Sequence, residues 1–145
     1  MDEYAYVVNV DGVITRDGDH LLIERAADED HAAGLLGLPG GKLEAPPGSD
    51  EALETTVRRE LAEEVGLEVG TVEYVCSGTF EADTGNQCLN VVMACEYTGG
   101  EPTAAADDEV AAVHWLSMSE LRAHENVPSF TEAYIERAMA VRDGR

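Results

Sequence analysis

Positive charge is scarce in this chain: nine Lys plus Arg, with Lys42 the sole lysine, stand against thirty Asp plus Glu, a formal net charge of −21. So anionic a surface repels phosphate backbones and acidic headgroups, which argues against sequence-general nucleic-acid binding and against adhesion to a membrane. Cysteine is limited to Cys76, Cys88 and Cys95, an odd number without a CxxC pair. Neither a disulfide framework nor a thiolate zinc site is expected, only reduced, partly buried thiols. No apolar run approaches the roughly 20 residues of a membrane span, and the opening Met1-Asp2-Glu3 is acidic where a signal peptide is basic. The expected location is cytoplasmic.

What is present is material for one core. The chain has 145 residues, 44% of them hydrophobic, which predicts a single domain over residues 1–145. The acids are spread along the chain instead of forming a tail. That distribution resembles a halophile's composition, in which a salty cytosol screens the self-repulsion of the fold.

Tyr4–Thr15 and His20–Arg25 are rich in β-branched and apolar residues around an Asp17-Gly18 turn signal, and together predict a β-hairpin. Residues 26–37 read as a loop, and Leu38-Pro39-Gly40-Gly41 and Ala45-Pro46-Pro47-Gly48 are breaks. Leu53, Val57, Leu61 and Val65 recur at every fourth position before Gly66, predicting an amphipathic helix over 50–65 capped by Ser49 or Asp50. Strands follow at about 69–80 and 88–97 and from Val110 to Leu116. Ser117-x-x-Glu120 and Ser129-x-x-Glu132 match the capping box, the second opening a helix with Phe130, Tyr134, Ala138 and Val141 on one stripe. The order predicts an α/β fold with a mixed sheet between helices.

The chemistry concentrates on the first helix. Glu60, Glu63 and Glu64 fall on one helical face, where each like-charged pair costs about 0.2–0.5 kcal/mol. Such a cluster calls either for full solvation or for a hard cation such as magnesium, which takes carboxylate oxygens and water. The string Arg59-Glu60-Leu61-Ala62-Glu63-Glu64-Val65-Gly66-Leu67 would arise by chance only about once in ten thousand chains of this size and composition.

Preceded by Leu38-Pro39-Gly40-Gly41-Lys42-Leu43-Glu44, that string resembles the Nudix box. The box runs Gly, five residues, Glu, seven residues, then the Arg-Glu string. Counting back from Arg59 puts Glu51 at the Glu position but Ala45 at the Gly position, a departure that an insertion of about four residues through Ala45–Gly48 explains, since loops accept insertions at small cost. The resemblance covers most of the chain and implies the Nudix α/β/α sandwich. It also implies hydrolysis of a nucleoside diphosphate linked to another moiety, with Mg2+ or Mn2+ as cofactor. Glu60 and Glu64 are the implied metal ligands, Glu63 a ligand or base, and a carbonyl at Gly40 or Gly41 completes the shell. Glu51 is implied to support Arg59.

Other roles stay open at this level. Arg25 and Lys42 are either phosphate partners or solubilising surface cations. Glu109 is either the water-orienting base or a solvated acid beside Asp107 and Asp108. For Trp115 and Tyr6, strand patterning favours core packing over stacking on a base, and His114 reads as a partly exposed strand residue. The partner is a small nucleotide, neither nucleic acid nor membrane, and the reading allows a homodimer. The alternative is a Nudix-fold binding or sensing module without catalysis; relatives of that kind lose acids from the box, whereas all three glutamates stand here. The markers expected of ADP-ribose and dinucleoside polyphosphate hydrolases are absent, with Ala82 and Thr84 in that stretch, so the base is not specified.

Overall fold

The computed structural model describes residues 2–26, 34–106 and 108–144; part of the 26–37 loop and Asp107 fall outside the described residues. After a 3-10 turn over Asp2–Tyr4, the elements are β1 (Val7–Val13), β2 (Thr15–Arg16), β3 (Asp19–Arg25), β4 (Leu36–Gly37), β5 (Gly40–Lys42), α1 (Ala52–Val65), β6 (Val69–Glu81), β7 (Gln87–Tyr97), β8 (Val110–Leu116), α2 (Met118–Ala123) and α3 (Ser129–Asp143). They form an α/β fold with two sheets. One is mixed, in the order β5-β1-β7-β6, with β1 parallel to β7; the other joins β2, β3 and β4, with β8 also paired to β3.

The predicted single hairpin is corrected by this topology. Strand β1 does not pair along β3; it runs parallel to β7 from Val7↔Cys88 to Val13↔Ala94. Its residues are apolar on both faces: Val10 belongs to the core under α1 and Val13 to the core under α3. A strand covered on both sides belongs in the middle of a sheet rather than in a two-stranded ribbon. The chain changes sheet at Ile14, and only β2 and β3 form the hairpin, around Asp17 at φ 52° and Gly18 at φ 85°.

Helix α1 buries Val57, Leu61 and Val65 completely, as the four-residue spacing demands. It ends on Gly66 in the left-handed region at φ 71°, whose N–H bonds back to the last turn. Its start differs from expectation. Ser49 donates to the Pro46 carbonyl at 2.7 Å, closing a turn, so the cap position falls to Glu51, without a side-chain capping bond.

Of the two expected capping boxes, the first forms: Glu120 N–H donates to Ser117 Oγ at 3.2 Å and Ser117 N–H to Glu120 Oε1 at 2.9 Å. The second does not, because Pro128 takes the cap position and its carbonyl receives the first helical bonds of α3. Helix α3 buries Thr131, Ile135 and Ala138, and Tyr134 and Val141 of the expected stripe pack against the same core, while Phe130 stays 57% exposed. The three cysteines are buried free thiols. Trp115 packs against the α1 core, edge-on to Tyr97 at 5.7 Å, with the Arg16 guanidinium 4.1 Å above its ring. Tyr6, expected in the core, is 46% exposed; it precedes β1, outside the covered part of the strand.

Candidate active site

Strand β5 brings the glycine turn under the acidic helix. Asn9↔Lys42, Val10↔Gly41 and Asp11↔Gly40 set its register against β1. The Gly40 N–H donates to Glu64 Oε1 at 3.0 Å. Neither glycine has room for a side chain. A Cβ on Gly41 would collide with the Glu60 carboxylate, and one on Gly40 with the Val10 carbonyl and Asp11. Glycine is thus needed here for close approach. Gly40 and Gly41, not Ala45, occupy the place beside the box acids, and the extra residues lie in the connection leading to α1.

The three glutamates are graded in depth. Glu64 is buried at 6% exposure, the Glu60 side chain retains 18%, and that of Glu63 is 63% exposed. Burial pushes the Glu64 carboxyl up to about 8, against the opposing pull of the Gly40 N–H; the charges of Glu109 and Glu60 add to the rise and that of Arg25 offsets it. Arg25, Glu60, Glu64 and Glu109 therefore share one electrostatic neighbourhood. Glu109 reaches it because its carbonyl accepts from the Ala26 N–H at 2.9 Å, next to Arg25, while the Ala105 N–H bonds to the Glu64 carbonyl at 3.1 Å.

Arg59 is held differently from expectation. Its guanidinium donates to the Glu44 carbonyl at 2.9 Å and to Glu60 Oε1 at 3.1 Å, with the Glu44 and Glu63 carboxylates at 3.7 and 3.9 Å. Glu51 is exposed at the α1 cap and is not among these partners. The insertion explains the exchange, since it leaves Glu44, at the exit of β5, as the acid within reach of Arg59.

Asp11 was not evident from sequence. Its carboxyl is pushed up to about 7 by burial, with Arg25 drawing it down. Only the pairing of β1 with β5 places it against Gly40, so nothing in the linear pattern signalled it. Lys42 is exposed on β5. His114 lies partly exposed, 3.3 Å from Glu24.

The donor set suits a hard divalent ion, with carboxylate oxygens of graded depth and the backbone of a glycine strand beside them. Among the described residues, no three acidic, histidine or cysteine side chains converge into a closed ligand cluster.

Comparison with known proteins gives the family. The NUDIX domain family matches residues 5–137. The chain is 34% identical over 137 residues to a MutT-like protein of Streptomyces ambofaciens, covering 94% of this chain and 77% of that one. It is also 34% identical over 136 residues to the CTP pyrophosphohydrolase of Escherichia coli K12, covering 94% and 93% respectively. The crystal structure of a MutT NUDIX hydrolase from Burkholderia pseudomallei superposes with a TM-score of 0.77 at 28% identity, over 92% of this chain and 98% of that one. The fold is that of the Nudix hydrolases. The chain belongs to the Nudix hydrolase family, whose members act on nucleoside diphosphate derivatives.

Proposed function

We propose that the protein hydrolyses a phosphoric anhydride bond of a nucleoside triphosphate or a related diphosphate conjugate, with Mg2+ or Mn2+ as cofactor. The observation that carries this reading is the buried Glu64 carboxylate, fixed by the Gly40 N–H amid the charges of Glu60 and Glu109. Glu60 and Glu64, with Glu63 and a carbonyl of Gly40 or Gly41, would hold the ion. When bound, it would offset these carboxylates and draw the substrate's phosphates, which a −21 protein otherwise repels, while stabilising charge at phosphorus.

Each remaining part of the mechanism falls to a residue of this chain. Arg59 neutralises and orients the acids beside it, from 3.1 Å at Glu60 to 3.9 Å at Glu63. Glu63, the most exposed of the three, accepts the proton of the attacking water; Glu109 is the competing base. Arg25 and Lys42 face substrate phosphate as its cationic partners. The CTP pyrophosphohydrolase relative makes a pyrimidine triphosphate a natural first substrate. The acidic, lysine-poor composition supports a salt-adapted protein, and we place it in the cytoplasm.

The test is a panel of nucleoside triphosphates and diphosphate conjugates, with and without Mg2+, scored for released monophosphate, pyrophosphate and phosphate. Metal-dependent release of a nucleoside monophosphate is the expected result. No release from any compound across magnesium and salt concentrations would refute the reading.

A further inference from the structure

Register across the mixed sheet aligns Lys42 with Asn9, Asn9 with Asn90 and Asn90 with Gly78. Flanking residues Val8, Val10, Leu89 and Val91 pack into the core under α1. By the two-residue alternation of strands, the aligned row lies on the opposite face. The adjacent row on that face contains Gly40, Asp11 and Val92. The amides thus lie two residues along β1, about 6.8 Å, from the level of the strand that bonds Glu64.

Asn9 Nδ2 donates to Asn90 Oδ1 at 3.2 Å, and both residues are half-buried. Each amide carries two donors and an acceptor oxygen with two lone pairs, so this one bond leaves capacity for an acceptor and a donor side by side. Exchanging oxygen and nitrogen in both amides leaves the same pair, so the argument survives either assignment. Further along, this face holds Val13, Val92 and Ala94, packed in the core under α3. Valine would continue that pattern at positions 9 and 90 and suits a strand better than asparagine. Keeping two amides there, at a desolvation cost, fits a surface that meets a polar ligand.

We infer that Asn9 and Asn90 are specificity-determining residues that hydrogen-bond the donor–acceptor edge of a nucleobase, with the substrate's phosphates toward Gly40 and Glu64. The inference rests on the proposed nucleotide hydrolysis and adds what selects the nucleoside. Paired amide groups can read the edge of an unstacked base, whereas a base-free sugar phosphate offers them no such edge.

The test compares wild type with Asn9→Val and Asn90→Val in two measurements. One is calorimetric binding of CMP, UMP, AMP, GMP and ribose 5-phosphate; the other is turnover of the four triphosphates with Mg2+. Wild type should prefer one base by about tenfold or more, and each variant should compress that preference to within about threefold, because a site built to pair polar groups rejects what cannot pair. For the preferred triphosphate, KM should rise about tenfold while kcat falls less than about threefold, the signature of lost substrate binding. Binding of ribose 5-phosphate should not change.

If wild type cleaves triphosphates and the variants keep its ranking and KM values, the inference fails and the hydrolase reading stands. If wild type cleaves none but binds monophosphates with a preference the variants lose, the hydrolase reading fails and the inference stands. A wild type without base preference, or without monophosphate binding, overturns the inference. Should Asn90→Val lower the melting temperature, Asn90→Ala, which removes the amide without adding a branched side chain, reads the same quantities.

Discussion

The backbone N–H of Gly40 and the carboxylate of Glu64 meet at 3.0 Å across 24 residues of sequence, and this one bond ties the glycine strand to the acidic helix. Glutamine at position 64 keeps an oxygen to accept from Gly40 but removes the charge. Glu64→Gln and Glu60→Gln should each lower turnover at least about a hundredfold while circular dichroism stays unchanged, because charge stabilisation at the reacting phosphate is the largest single catalytic effect. Above pH 8, where the Glu64 carboxyl ionises, Glu64→Gln should also hold or raise the melting temperature of the metal-free protein, since a buried charge among like charges destabilises the fold. Full activity in both variants would remove these residues from the metal site.

Arg59 provides a test of which acid supports it. Arg59→Ala loses contacts to Glu44, Glu60 and Glu63 and should lower both activity and melting temperature. Glu51→Gln should change activity by less than about twofold, because an exposed acid outside an ion pair contributes almost nothing. A large loss in Glu51→Gln would restore the role that the box pattern assigns to it.

The sequence put Glu60, Glu63 and Glu64 on one helix, where the structure has them, but set Glu51 beside Arg59, where the structure has Glu44; the difference is a matter of range. The glutamates follow from helical periodicity, β8 from strand propensity and the Ser117 capping box from a four-residue motif, all of them local properties. The partner of Arg59 depends on where the chain re-enters after an insertion, which is a tertiary fact. The same holds for β1: its apolar residues announced a strand, but only the cores on both its faces put it parallel to β7 instead of beside β3. Asp11 and the Asn9–Asn90 pair were invisible for that reason, since each acquires its neighbours through strand register. On α3 the expected stripe holds at Tyr134, Ala138 and Val141, and only Phe130, in the first turn, stays exposed.

His20 gives the fold a pH dependence of known sign. It is 3% exposed and its Nδ1 lies 2.8 Å from the Thr15 hydroxyl. Burial lowers its pKa and the charge of Arg142 lowers it further, with Asp19 opposing. The unfolded chain therefore binds the proton more tightly, so this contribution to stability is complete above the unfolded pKa, near 6.5, and is lost as pH falls toward the lower folded value. Melting temperatures from pH 8 to pH 5 should fall more steeply in wild type than in His20→Gln. Parallel curves would show that His20 does not titrate on unfolding.

With a net charge of −21, the folded state should gain stability as monovalent salt is raised. Between about 0.1 M and 1 M the Debye length shrinks from about 10 Å to about 3 Å, so repulsion between surface acids is largely removed. The melting temperature should climb over that interval. A flat or falling curve would discard salt adaptation and leave the hydrolase reading intact.

The identity of the general base turns on Glu63 against Glu109. The Glu63 side chain is 63% exposed and lies 3.9 Å from Arg59, open to solvent yet oriented. Glu109 stands on the loop before β8, close enough for its charge to be felt at Glu64. A general base contributes about a hundredfold to ten-thousandfold, so the two cases are well separated in rate. If Glu63 is the base, Glu63→Gln should lose a factor in that range and Glu109→Gln should stay within about threefold of wild type. If Glu109 is the base, the ranking reverses, and the magnesium concentration for half-activation in Glu109→Gln should match wild type, because the helix acids remain. The exposed, Arg59-oriented carboxylate favours the first outcome. Undiminished rates in both variants would mean that neither residue takes the proton.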